Sequence, residues 1–67
     1  MSEESEALGE LLRARRQQLG LTLREAAGQI GCHFSTLYRA EQAIDITFDN
    51  FVLFARWLGM PLLEDRA

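Results

Sequence analysis

Residues 22–41 read Thr-Leu-Arg-Glu-Ala-Ala-Gly-Gln-Ile-Gly-Cys-His-Phe-Ser-Thr-Leu-Tyr-Arg-Ala-Glu, and this stretch decides the fold. Thr22 and Glu25 have the spacing of a capping box, in which the threonine hydroxyl accepts from the backbone N–H three residues on while the carboxylate reaches back. A helix is predicted from there to about Ile30. Gly31 tolerates a positive φ, which allows the chain to end this helix in a tight turn. A further helix is predicted from about His33 or Phe34 to Gln42. Ala27 is small where the two helices cross, and Ala26, Ile30, Leu37 and Ala40 are placed to seal the angle between them.

Working outward, the flanking segments are also helical in period. From Glu6 to Leu19, Leu8, Leu11, Leu12 and Leu19 recur near helical spacing, acids come first and arginines later, and Gly20 marks the stop. Ahead of it, Met1 to Ser5 is polar, acidic and aperiodic, so residues 1–5 are predicted as a disordered, frayed terminus and residues 6–67 as one domain. Ala43 to Ile46 lacks periodicity and reads as a loop. Thr47 is an N-cap type with Asn50 three residues on. It opens a helix whose core stripe is predicted as Phe48, Phe51, Val52, Ala55 and Leu58, with Gly59 as its end. Pro61 suits the first position of a short last helix, Pro61 to Asp65. No hairpin signal appears. The expected fold class is all-α, with five short helices.

Composition narrows the function. A chain of 67 residues is one domain, and at this size folding buries only about 60% of the unfolded surface, which argues against a large enzyme cleft. With 48% apolar and 25% charged residues, neither disorder nor a fibrous repeat is expected. The longest apolar run, Phe51 to Ala55, is far below the roughly 20 residues needed to cross a bilayer. The single Cys32 cannot form an internal disulfide and no secretory leader pattern opens the chain, so a cytoplasmic location is predicted. The net charge of -3 is unevenly distributed: residues 1–10 sum to -4, residues 11–40 to +4 and residues 41–67 to -3. All seven cations are arginine, whose planar fork suits phosphate and guanine. A protein that is acidic overall can therefore still present a basic face to an anionic partner.

The order of Ala27, Gly31, Leu37 and Ala40 is that of a helix-turn-helix, a unit that presents its second helix to the DNA major groove while the first crosses the phosphate backbone. At this point the chain resembles the phage-repressor and Cro-like (XRE-type) family. The residues that carry the likeness are Leu8-Gly9, Leu12, Arg16, Gly20-Leu21-Thr22, Ala26-Ala27, Ile30-Gly31, Ser35-Thr36-Leu37, Glu41 and Leu58-Gly59. The resemblance covers residues 8 to 62. It implies a compact five-helix, lambda-repressor-like DNA-binding domain, commonly dimeric, in which Arg16 pairs with Glu41. Three positions depart from the family pattern. Leu23 stands where a polar DNA-contacting residue is usual, His33 where Ser or Thr caps the helix, and Gln42-Ala43-Ile44-Asp45-Ile46 where glycine and basic residues lie against phosphates.

Helix register and resemblance together nominate His33, Phe34, Ser35, Thr36, Tyr38 and Arg39 as the DNA-binding face, with Arg13, Arg16 and Arg24 completing the set. Arg15 is a further phosphate candidate. The competing reading makes Phe34 and Tyr38 partly core and the arginines ordinary surface charges. Cys32 is expected to be a buried structural thiol. His33 has no partner ligands, so no metal is predicted, and neither is a cofactor, a small-molecule substrate or an enzymatic centre. Leu53, Phe54 and Trp57, with Met60, Leu62 and Leu63, form the predicted homodimer interface. The expected function is a sequence-specific transcriptional regulator, a repressor that binds a palindromic operator in double-stranded DNA as a homodimer. The alternative is a protein-interaction module, antitoxin-like or anti-repressor, with little or no DNA binding.

Overall fold

Alternation of helix formers and left-handed stops divides the chain. The computed structural model describes residues 3–60, with side chains from Glu6 onward, and contains α1 (Glu3–Gln18), α2 (Leu23–Ile30), α3 (Phe34–Glu41) and α4 (Phe48–Leu58). Among the described residues there is no strand, and no helix is long and apolar enough to cross a membrane. The last helix expected at Pro61 to Asp65 lies outside the described residues. The first helix begins at Glu3, earlier than the expected Glu6, and so enters the stretch read as frayed. Once nucleated, a helix extends at little cost through residues of good propensity.

Each stop follows from backbone chemistry. Gly20, Gly31 and Gly59 have φ of 70°, 96° and 76°, a region costly for residues with a Cβ. At Gly31 the Gly31 and Cys32 N–H groups both donate to the Ala27 carbonyl, at 2.8 and 3.1 Å, closing the end of α2. The predicted capping box is present: Glu25 N–H donates to Thr22 Oγ1 at 3.1 Å and Thr22 N–H to Glu25 Oε1 at 2.9 Å. Thr47 caps α4 by accepting from Asn50 N–H at 3.2 Å. After α3 the stop is Ala43, with φ 63°, and the Ile44 N–H returns to Arg39 O at 2.8 Å. Here the methyl group is buried.

The core is one cluster of Leu8, Leu12, Ala26, Ala27, Ile30, Leu37, Ala40 and Phe54. Thus Ala26, Ala27, Ile30, Leu37 and Ala40 lie where the sequence put them, whereas Leu11 and Leu19 are half exposed. Two corrections concern α4. Phe54, assigned to a dimer interface, is 0% exposed and belongs to the core, whereas Phe48, assigned to the core stripe, is 75% exposed. At 100° per residue, the buried arc through Phe51, Phe54, Ala55 and Leu58 is rotated by roughly 45° from the expected one. Phe48, in the first turn of the helix, is left on its flank.

The tightest packing is between α1 and the end of α3. A Cβ built on Gly9 meets Ala40 O at 2.7 Å and Glu41 O at 2.8 Å, both backbone atoms, whereas one on Gly28 meets nothing within 4 Å. Gly9→Ala is therefore expected to lower stability by about 1–3 kcal/mol through overpacking, and Gly28→Ala to raise it by about 0.5–1 kcal/mol through helix propensity. Urea denaturation followed by circular dichroism checks both signs; a neutral Gly9→Ala would show that α1 can move away freely.

Candidate nucleic-acid interface

α2 and α3 form the helix-turn-helix, and α1 braces its far end. Arg16 Nε donates to Glu41 Oε2 at 2.7 Å, its Nη2 to Oε1 at 3.0 Å and its Nη1 to the Leu21 carbonyl at 3.2 Å. The side chains are 17% and 3% exposed. The hydrogen bonds to Glu41 raise the Arg16 pKa above its ordinary value, against the lowering effect of burial. Pairing of Arg16 with Glu41 is what the resemblance implied. It also occupies the guanidinium fork, so Arg16 acts as a brace between α1 and the end of α3.

At the start of α3, His33 stands at the N-cap with φ -75° and ψ 147°, and its Nδ1 accepts from Ser35 N–H at 3.2 Å. Ser35 Oγ is 2.8 Å from the same nitrogen. With Nδ1 as acceptor, both Ser35 groups donate to it and the ring N–H falls on Nε2. Histidine thus performs the capping task usually done by a hydroxyl. Its ring stacks on Phe34, with centroids 4.6 Å apart at 30°. The Arg24 guanidinium lies 4.0 Å from the centroid of the same Phe34 ring. Four of the nominated residues, Arg24, His33, Phe34 and Ser35, are therefore brought together at one end of α3. Ser35 is tied to its neighbour and Phe34 is already covered by two others.

One turn further along, Thr36 and Arg39 line an open cleft of about 200 Å³ with Asp45, Thr47 and Asn50. Arg39 and Tyr38 are exposed. Among the described residues no ion pair neutralises Arg39, Arg24 or Arg13. Arg13 is exposed on α1. Asp45, Thr47 and Asn50 were not nominated. Asp45 has φ 53°, and only the loop geometry brings its carboxylate beside the cleft. Leu23, the departure in α2, packs against the core, which explains why a polar contact residue is missing there. Cys32 also packs against the core but is only half buried, and burial pushes its thiol pKa up. Among the described residues there is no cluster of metal-ligating side chains.

Two short helices joined by a left-handed glycine, the second standing proud with an unneutralised arginine, define the helix-turn-helix class. Comparison with known families bears this out: residues 7–67 match the family described as a helix-turn-helix domain. The chain belongs to that family. No curated protein matches it.

The brace gives a direct expectation. Arg16→Ala leaves the Glu41 carboxylate buried without its partner, and the cost expected for breaking such a pair is about 3 kcal/mol. Thermal and urea melts measure it; a loss below about 1 kcal/mol would place the pair with ordinary surface salt bridges.

Proposed function

We propose that this protein is a sequence-specific DNA-binding transcriptional regulator that acts as a repressor on a palindromic site. The carrying observation is Arg39, exposed on α3 without a carboxylate partner and one turn from the Arg24, His33, Phe34 and Ser35 cluster. In this reading Arg39 forks onto a base edge, with Thr36 and Tyr38 beside it, while Arg24 and Arg13 bind phosphates. The N-terminal end of α3, where His33 and Phe34 lie, enters the major groove. Occupancy of a site that overlaps a promoter is sufficient for repression.

Palindrome reading requires two copies whose α3 helices are about 34 Å apart. The flank of α4 with the half-buried Leu53 and Trp57 is the proposed homodimer face. Met60 is half buried, and Leu62 and Leu63 lie outside the described residues. A second reading has a specific observation in its favour: Asp45 lines the same cleft as Arg39, and a carboxylate there opposes phosphate. That reading is a protein-interaction module that retains the scaffold.

Fluorescence anisotropy with duplex DNA at two salt concentrations separates them. DNA binding weakens steeply as salt rises, because arginine contacts release counterions. Arg39→Ala is expected to lose about 1–3 kcal/mol on the preferred sequence and little on random DNA, whereas Arg24→Ala and Arg13→Ala weaken all sequences alike and lower the salt slope by about 1. No anisotropy change at low salt would favour the interaction module.

A further inference from the structure

The fold gives the carboxylate of Asp45 no task of its own. Thr47, not Asp45, caps α4 by accepting from Asn50 N–H at 3.2 Å. Among the described residues the ion pair is that of Arg16 with Glu41, and Asp45 is exposed without a cationic partner. Its φ of 53° lies in the left-handed region, which aspartate and asparagine enter more readily than most residues.

The loop nevertheless fixes Asp45 relative to Arg39. Ala43, with φ 63°, is buried, and its N–H donates to Ala40 O at 3.0 Å. The next residue, Ile44, donates its N–H to the carbonyl of Arg39 itself at 2.8 Å. Asp45 follows directly, so its backbone is anchored to the turn of α3 that carries Arg39. Both side chains line the cleft of about 200 Å³ with Thr36, Thr47 and Asn50, yet no ion pair joins them. The cleft therefore presents a fork of donors and, separately, an acceptor that carries negative charge.

A phosphate offers acceptors only, so the attraction of Arg39 is opposed by the repulsion of Asp45. Base edges in the major groove differ in this respect. Guanine presents O6 and N7 acceptors, which match the arginine fork, and cytosine presents the N4 amino donor, which matches a carboxylate. Adenine sets an N7 acceptor beside its amino group, and thymine offers O4 and a methyl group. Of the four, cytosine alone meets a carboxylate with a donor and no acceptor. We infer that Asp45 is a specificity-determining residue, which accepts from the N4 amino group of a cytosine in the base pair adjacent to the guanine held by Arg39. Its charge also weakens binding to any sequence that lacks such a donor there. This deepens the proposed function and rests on that reading.

The test uses the full chain and a pool of duplexes randomised at their central positions. The sequences retained by the wild type and by Asp45→Asn are compared, and anisotropy measures the affinity of each protein for the unselected pool at two salt concentrations. Asparagine tolerates the same left-handed backbone, so the variant removes the charge and leaves the loop, with far-ultraviolet circular dichroism as the folding control. The wild type is expected to retain guanine with an adjacent cytosine. Asp45→Asn is expected to keep the guanine and exchange the cytosine for adenine, because an amide pairs with adenine N6 and N7. Its affinity for the unselected pool is expected to rise at least about threefold, with a steeper salt dependence. A wild type that binds DNA without the cytosine preference, or a preference that survives in Asp45→Asn, overturns the role of Asp45 and leaves the DNA-binding reading standing. A wild-type chain that retains no duplex at low salt overturns both.

Discussion

The close approach of α1 to the carbonyl end of α3 is the constraint on which the rest of the molecule depends. Gly9, Leu12 and Arg16 stand three and four residues apart, so they share one stripe of α1. Each meets its surroundings by a different kind of force. Gly9 offers no Cβ, so the backbone can lie against the Ala40 and Glu41 carbonyls; Leu12 is fully buried; Arg16 forks onto Glu41. A partly buried ion pair must offset the desolvation of both charges. Two parallel hydrogen bonds do so here, with a third from the same guanidinium to the Leu21 carbonyl. That third bond also fixes the turn from which α2 departs, so one side chain sets the position of both helices of the motif.

Held in this way, α3 presents two chemically different ends. Its start is crowded with rings and a guanidinium, its Ser35 amide satisfied by an imidazole. Its middle is open and polar, with Thr36 and Arg39 facing Asp45, Thr47 and Asn50 across a cleft. In the proposed complex the first end positions and the second discriminates. In that proposal the carboxylate of Asp45, which lines the same cleft as Arg39, lowers the positive potential there and weakens attraction for a bare phosphate.

The motif was legible because its signals are local. A capping box, a left-handed glycine and a small residue at a helix crossing each depend on a few neighbouring positions, and Thr22, Glu25, Gly31 and Ala27 all behave as read. The Arg16–Glu41 pair spans the domain, and only resemblance made it readable. What escaped was long-range. Whether Phe48 or Phe54 is buried depends on the rotation of α4 against α1 and α2, and a helix with apolar residues around most of its circumference does not specify that rotation. The role of Gly9 was invisible because glycine within a helix leaves no periodic trace. The sequence places His33 at the N-cap but does not show that its ring would engage both the amide and the hydroxyl of Ser35.

A consequence follows from the length of α2 and α3, which have eight residues each. Isolated helices shorter than about 12–15 residues are marginal in water, so neither exists on its own. The recognition surface is created by the fold rather than carried by it, and its most exposed residues inherit whatever occupancy the brace to α1 secures. Any partner that grips only the ordered form adds to folding stability, by about 2.7 kcal/mol at a hundred times its dissociation constant. For a domain of this size that is a large share of a total of about 5–15 kcal/mol. A partner of that kind would be a structural component of the domain as much as its target.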